Sequence, residues 1–589
     1  MKSQSSRDVA ALVPNTKVNW ARDGRFLTLT MLCSIIAVFF LFQLWSFHPF
    51  IPISYDGDGL LTLNGLRNIQ LHGWYFSTQN LGAPFGQNLH DFPAVADNLH
   101  LLLLWFGIKL FRNEFLVFNL YFLGAYVLSS VFGYIGSRVL RIAPPAAVLI
   151  GVAYAFINQQ GPGHLYLSAY WAVPLWVAFL IRELSHDSLI LIFPNSCRPR
   201  SLAQWACTPR ALLITLISLL AATTGLYYAF FFLALAFFVS IIKKASQKNP
   251  FQWLPAAWAF IVGVFVLAVQ YFPIWLYQQR SPNNLAIVGR TVAAVEFYSL
   301  KLVNLILPVY GHRLHFFAHL RDRSNPVYLI GENADAIGLL ASIGFIALLV
   351  ISVYRIIQPK IDTTSALASF SLIAILISMT GGLAQLMAVF GFTELRVWSR
   401  ISVVLAFPAL IFIVELIHRK IEHLGSLIIG ITLTLIGVTS ILDTNPTDPS
   451  VKLRPFAAQA WESDRELVHN IEEKFGKDAQ IFQLPIAPFP EYGSIVNMVD
   501  YSHLRGYMHS NTLRWSYGAV KGRNSDWMLS LPTNPNELIE ALRTKHFKAI
   551  WLNTLGYENS GLSVIADLER AGSTIAFQAE NIVVLTLPQ

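Results

Sequence analysis

Residues 26–47 read FLTLTMLCSIIAVFFLFQLWSF, and after HPFIPIS the chain continues YDGD at 55–58. The first stretch is apolar and reaches the roughly 20 residues that a helix needs to cross a bilayer. Lys2, Arg7, Lys17, Arg22 and Arg25 precede it. Cationic flanks stay on the cytoplasmic side, so the N-terminus is expected inside and Asp56 and Asp58 outside. The helix is too long for a signal-peptide core and no small-residue cleavage site follows, so it reads as a retained anchor. Two carboxylates at a membrane surface are poor structural choices and good catalytic ones.

Outward from this stretch the same composition recurs. The 589-residue chain is 54% hydrophobic and 13% charged, about half the charge of an ordinary soluble protein. This is a polytopic α-helical membrane bundle. Spans are expected near 26–47, 115–137, 143–158, 167–183, 210–222, 225–242, 254–277, 336–357, 364–380, 400–418 and 424–442. Eleven spans put the C-terminus outside. The loop cations agree: Arg138 and Arg141, then Arg182, Arg198, Arg200 and Arg210, then Lys243, Lys244 and Lys248, then Arg355 and Lys360, then Arg419 and Lys420 all fall on the inner side. The net charge of +8 therefore sets topology and meets anionic lipid, and is no nucleic-acid signal. Cys33, Cys197 and Cys207 fall in no outer segment, so no disulfide framework is expected.

Residues 1–25 read as a cytoplasmic tail and 26–442 as the membrane domain, with large outer loops at 48–114 and 278–335. Within the first loop, 97–112 reads as an interfacial helix. Thr223-Thr224-Gly225 interrupts a long apolar run at an outer turn that lines a cavity. Residues 443–589 have soluble composition and read as an extracytoplasmic α/β domain. It has helices near 456–475, after Asn534-Pro535 and near 561–571. Its strands are near 480–484, 548–552, 574–578 and 582–587.

Several residues carry chemistry. Asp56 and Asp58 flank a glycine, and in an extended segment they point the same way. One serves as general base on a hydroxyl, the other as orienter or metal ligand; the bland alternative is a solvated turn. Arg396 and Arg400 lie four apart on one helix face, and their forks suit phosphate oxygens. The alternative is snorkelling to lipid headgroups. Gly161-Pro162-Gly163-His164 is an outer turn offering His164 to a substrate, followed by Tyr166, Tyr170 and Trp171 as a candidate interfacial belt. Tyr55, Glu332, Arg505 and Trp515 are further candidate substrate contacts. Tyr501–Trp527, mixing arginines with aromatics, reads as a carbohydrate-binding loop or as a docking surface onto the bundle. His312, His315 and His319 share a helix face at zinc-like spacing, yet their neighbours favour an interfacial helix, and no metal site is assigned. No motif calls for a cofactor, though a divalent metal stays open.

There is no Walker A motif, G-x-S-x-G elbow or H-E-x-x-H, and the spans hold almost no acid besides Glu415, which argues against ion-coupled transport.

The Asp pair in the first outer loop, the eleven spans, the late outer loop, Arg396 and Arg400, and the outer C-terminal domain together resemble the GT-C superfamily of membrane glycosyltransferases. Gly163-His164 and the Arg396–Arg400 stretch are similar to the YfhO-like bacterial branch. The resemblance implies an inner-membrane enzyme that uses a polyprenyl-phosphate sugar, with an outer-loop Asp as base and inverting transfer to a cell-envelope glycan or lipid-linked acceptor. Asp-Gly-Asp departs from the Asp-Glu pair of the protein mannosyltransferases, and no W-W-D motif of oligosaccharyltransferases is present. The alternatives are a lipid-linked glycan translocase or a non-catalytic envelope-assembly protein.

Overall fold

The computed structural model describes residues 20–157, 161–185, 201–246, 250–287, 289–324, 331–332, 334–446, 449–523 and 526–588. Lys2, Arg7, Lys17, Cys197, Arg198, Arg200 and Lys248 lie outside these residues. Among the described residues eight helices are long and apolar enough to cross a membrane: Asp23–Leu41, Glu114–Val139, Pro162–Leu184, Leu226–Ser246, Gln252–Arg280, Gly338–Ile357, Trp398–Ile421 and Ser426–Thr444. The other three expected spans are helices too, but shorter: Pro144–Ala155, Pro209–Thr223 and Thr363–Ser378. The chain is thus a multi-pass membrane protein.

Small residues let the helices approach. A Cβ on Gly344 would stand 2.2 Å from the Ala409 carbonyl oxygen, and one on Gly151 would stand 2.5 Å from that of Ser130. Trp398–Ile421 is the most buried span and forms the bundle's axis.

The first loop holds more order than its composition suggests. Helix Gly57–His72 was not expected; Asn98–Phe111 was. The latter buries Leu101, Leu104 and Ile108 and exposes Leu102, Leu103, Phe106 and Leu110, as an interfacial helix does. Between them β1 (Ser77–Thr78) pairs antiparallel with β2 (Gln87–Asn88). The 223–225 break is real: Gly225 adopts φ 107°, and its N–H donates to the Ala96 carbonyl at 3.0 Å. The break is therefore sealed against the first loop.

Helix Pro449–Phe475 leads from the last span to a five-stranded sheet. Its strands are β3 (Gln480–Leu484), β4 (Arg514–Trp515), β5 (Phe547–Asn553), β6 (Thr574–Ala579) and β7 (Ile582–Thr586), in the order β4-β3-β5-β7-β6. β4 and β5 run parallel to β3, and β7 runs antiparallel to β5 and β6. The helix after Pro535 is capped by Asn534, whose side chain accepts from the Asn536 and Glu537 N–H groups; of the two sequence candidates, Thr533 and Asn534, it is the latter.

This domain does not hang free of the bundle. Leu81 bridges to Trp515 and extends the sheet beyond β4. Trp515 N–H donates to Asn80 at 2.8 Å, and Ala83 N–H donates to Trp515 at 2.9 Å. Side chains add to the seam. The Arg67 Nη2 group donates to Asn511 at 2.7 Å, Tyr507 donates to Asn68 at 2.7 Å, and Arg523 grips Asp91 at 2.6 Å. Tyr501, Leu504, Tyr507, Leu513 and Tyr517 are buried against the first loop. Of the two readings of 501–527, docking is the one observed.

Candidate active site

Helix Gly57–His72 sets the Asp pair. Asp56 is its N-cap residue, extended at φ −151°, and Asp58 lies in the first turn, where a carboxylate meets the positive end of the helix dipole. Gly73 closes the helix at φ 85°. The pair is therefore not an extended segment: it spans a helix start, and the two carboxylates take different partners. Asp56 is exposed and accepts a hydrogen bond from Ser54 Oγ at 3.2 Å. Asp58 places Oδ2 3.4 Å from Nδ1 of His164. A Cβ on Gly59 would lie 2.3 Å from Ser54 Oγ, so only glycine lets the 53–56 turn fold back on the helix.

The Gly161–His164 turn lies over this helix start. A Cβ on Gly163 would sit 3.7 Å from the Gly59 nitrogen and 4.0 Å from Asp58 Cβ. His164 is in electrostatic reach of Arg400 and Glu332 as well as Asp58. Arg400 donates from Nε to Glu332 at 2.8 Å, with a second contact from Nη2, and its guanidinium stacks 4.3 Å over the Tyr227 ring. Arg396 stands 5.0 Å over Tyr298 and makes no ion pair among the described residues. The two arginines do not share a helix face. Arg396 is in extended chain and Arg400 in the 3₁₀ turn Trp398–Ile401, because helix Ser402–Ile421 starts only after both.

Asp56 and Asp58 border a cavity of about 750 Å³, within the roughly 300–1,000 Å³ of ordinary ligand sites. Phe42, Phe122, Tyr126 and Phe456 make much of its apolar wall.

The other expected contacts divide between this cavity and the core of the C-terminal domain. Tyr55 is buried, donating to Asp464 at 2.8 Å and lying 2.9 Å from His509 Nε2. Arg505 grips the same Asp464 at 2.6 Å. Burial holds the Asp464 carboxyl above its usual range, against the pull of Arg505. Tyr55 and Arg505 both line the cavity, with the Tyr55 hydroxyl spent on Asp464. Trp515 is fully buried, edge-on to Trp551, and Gly506 lies against it. It is core and leaves no face for a ligand. Tyr170 and Trp171 are buried too, and form no belt. His312 precedes helix His315–Ser324 and meets Asp443 at 3.1 Å, so the three histidines share no face. Among the described residues no group of three or more His, Cys, Asp or Glu side chains is disposed to hold a metal.

Ser54, Tyr227 and Asn445, the last of these on the cavity wall, were not singled out from sequence. Only Ser54, two residues from Asp56, stood close enough in the chain to be found.

No family model and no curated protein matches the chain. Solved structures do. Arabinofuranosyltransferase AftD from Mycobacteria is similar over 98% of this chain at 13% identity and a TM-score of 0.51, and this chain spans 40% of its length. ArnT from Cupriavidus metallidurans, in the apo state, is similar over 96% of this chain and 98% of its own at 11% identity and a TM-score of 0.50. The chain has the fold of the GT-C glycosyltransferases. At such identities the likeness speaks for fold alone.

Proposed function

We propose that this chain is a glycosyltransferase of the bacterial cytoplasmic membrane, with its N-terminus inside and its C-terminal domain outside. It moves a monosaccharide from a polyprenyl-phosphate donor to an envelope glycan or lipid-linked acceptor at the outer face. The observation that carries the reading is the Asp56–Asp58 pair, set on a helix start between a large cavity and the His164–Arg400 side of the bundle.

Asp56, the more exposed carboxylate, takes the acceptor hydroxyl proton. The freed oxygen attacks the anomeric carbon and inverts it. The bond to phosphate breaks, and polyprenyl phosphate leaves with its charge beside Arg396 and Arg400. Glu332 holds the Arg400 fork until phosphate arrives, and Asp58 orients His164 toward the sugar.

The test is transfer of radiolabelled sugar from polyprenyl-phosphate donors in liposomes. Asp56→Asn should lower the rate by about 10²–10⁴-fold, the usual worth of a general base, without loss of fold. Undiminished transfer would overturn the assignment of the base. Donor binding that depends on Arg396, with no transfer from any donor, would favour a translocase.

A further inference from the structure

The cavity beside Asp56 is built unlike a phosphate site. Its walls come from three membrane helices and the first helix of the C-terminal domain: Phe42 just past the end of the first span, Phe122 and Tyr126 inside Glu114–Val139, Thr444 at the end of Ser426–Thr444, and Phe456 on Pro449–Phe475. The side made by these rings is apolar and continues the membrane bundle. Asp56 and Asp58 line the same cavity. Arg505 is the cation on the wall, and Asp464 already neutralises it at 2.6 Å. Arg396 and Arg400 are not on this wall; Arg400 and Asp58 are both electrostatic neighbours of His164.

Two carboxylates and one neutralised arginine repel a phosphate. A chamber with a hydrocarbon wall toward the bundle and acids in its lining suits a molecule with an apolar tail and an uncharged hydroxylated head. Phe456 is 68% exposed and Val499 46% exposed at its rim, so the apolar lining reaches the surface.

We infer that this cavity admits the acceptor, and that the acceptor is an uncharged glycolipid whose hydrocarbon tail lies against Phe42, Phe122 and Phe456 while a sugar hydroxyl reaches Asp56. Donor and acceptor then approach the Asp pair from opposite sides. The inference rests on the proposed transfer and selects its lipid-linked acceptor over a soluble glycan.

The test needs no turnover. The full-length protein in liposomes is irradiated with a monoglucosyl diacylglycerol that carries a diazirine on one acyl chain. Phosphatidylglycerol with the same chain serves as the anionic comparator. Peptides containing Phe42, Phe122 or Phe456 should take label from the glycolipid at least fivefold more than from the anionic lipid. Ala457→Trp, which fills the chamber from helix Pro449–Phe475, should cut that label about tenfold. Label on the lipid-facing helix Gln252–Arg280 should stay unchanged, which reports that the variant is folded; Ala460→Phe is the second filling variant. Equal labelling by both lipids, or labelling that both filled variants leave intact, overturns the inference. If labelling fails while Asp56-dependent transfer persists, only the acceptor class falls. If labelling succeeds without transfer, the cavity stands and the transferase reading falls.

Discussion

Two clusters in this molecule are made from the same three parts: an arginine, a carboxylate and a tyrosine ring. Arg505, Asp464 and Tyr55 join the bundle to the C-terminal domain; Arg400, Glu332 and Tyr227 border the His164 side of the Asp pair. In the first, the Asp464 side chain is 3% exposed, and its oxygen takes both the arginine and the tyrosine hydroxyl. In the second, Glu332 is 18% exposed and the tyrosine offers its face rather than its hydroxyl. A closed cluster holds two parts of a chain together. An open one can exchange its carboxylate for an arriving anion. The difference lies in burial and in what the tyrosine donates.

Removing one carboxylate from each cluster should separate them most. Asp464→Ala leaves Arg505 buried without its counter-charge and should cost about 3–5 kcal/mol in denaturant unfolding. Glu332→Ala also uncovers a buried arginine, but its carboxylate is 18% rather than 3% exposed, so it should cost less than Asp464→Ala and in addition change the donor KM. Equal losses would erase the distinction.

Acid should loosen the closed cluster through His509. Burial and the nearby Arg67, Arg505 and Arg465 hold His509 down at about 3, against an ordinary 6.5. The unfolded chain therefore binds a proton below 6.5 that the folded seam refuses, and stability falls as pH drops from 6.5 toward 3. The slope is about 1.4 kcal/mol per pH unit, or about 2 kcal/mol by pH 5. Asp464, held high by burial, acts in the opposite direction, because the folded state binds its proton more readily than the unfolded chain does. His509→Gln should flatten the acid limb of a melting-temperature profile; an unchanged limb would remove His509 from the account.

Exchanging arginine for lysine gives a smaller and crossed effect. Arg400→Lys loses the fork and should raise the donor KM about tenfold, about 1.4 kcal/mol, at constant Tm. Arg505→Lys should lower Tm and leave the donor KM alone. Smallest is the tyrosine pair. Tyr55→Phe should cost about 1 kcal/mol of stability, and Tyr227→Leu about 0.5–1 kcal/mol of donor affinity.

Much of this architecture was legible because hydropathy is local. All eleven apolar segments are helices, and the strands at 480–484 and 548–552 lie where the sequence placed them. What hid was set by distant partners. Helix Gly57–His72 carries Asn64, Arg67 and Asn68, which look like loop residues until Gln87, Glu114 and Tyr507 satisfy them. Its ends were readable all the same: an acid in the first turn and His72-Gly73 at the close. The Arg400–Glu332 pair bridges 68 residues and left no local trace. Trp515 looked like a binding residue because its neighbours are polar, yet its partners Leu81 and Trp551 come from elsewhere in the chain.

The strip Asn80–Ala83, laid along β4, carries a consequence in time. Asn80 and its partner Leu513 are 433 residues apart. At a ribosome's pace of about 5–20 residues per second, the strip waits roughly 20–90 s for the strand it will cover. For that interval the helix that bears Asp56 has its membrane neighbours but not its roof. Until the last quarter of the chain has been made this helix stays uncovered, and premature termination yields a bundle whose first outer loop lacks its β4 partner.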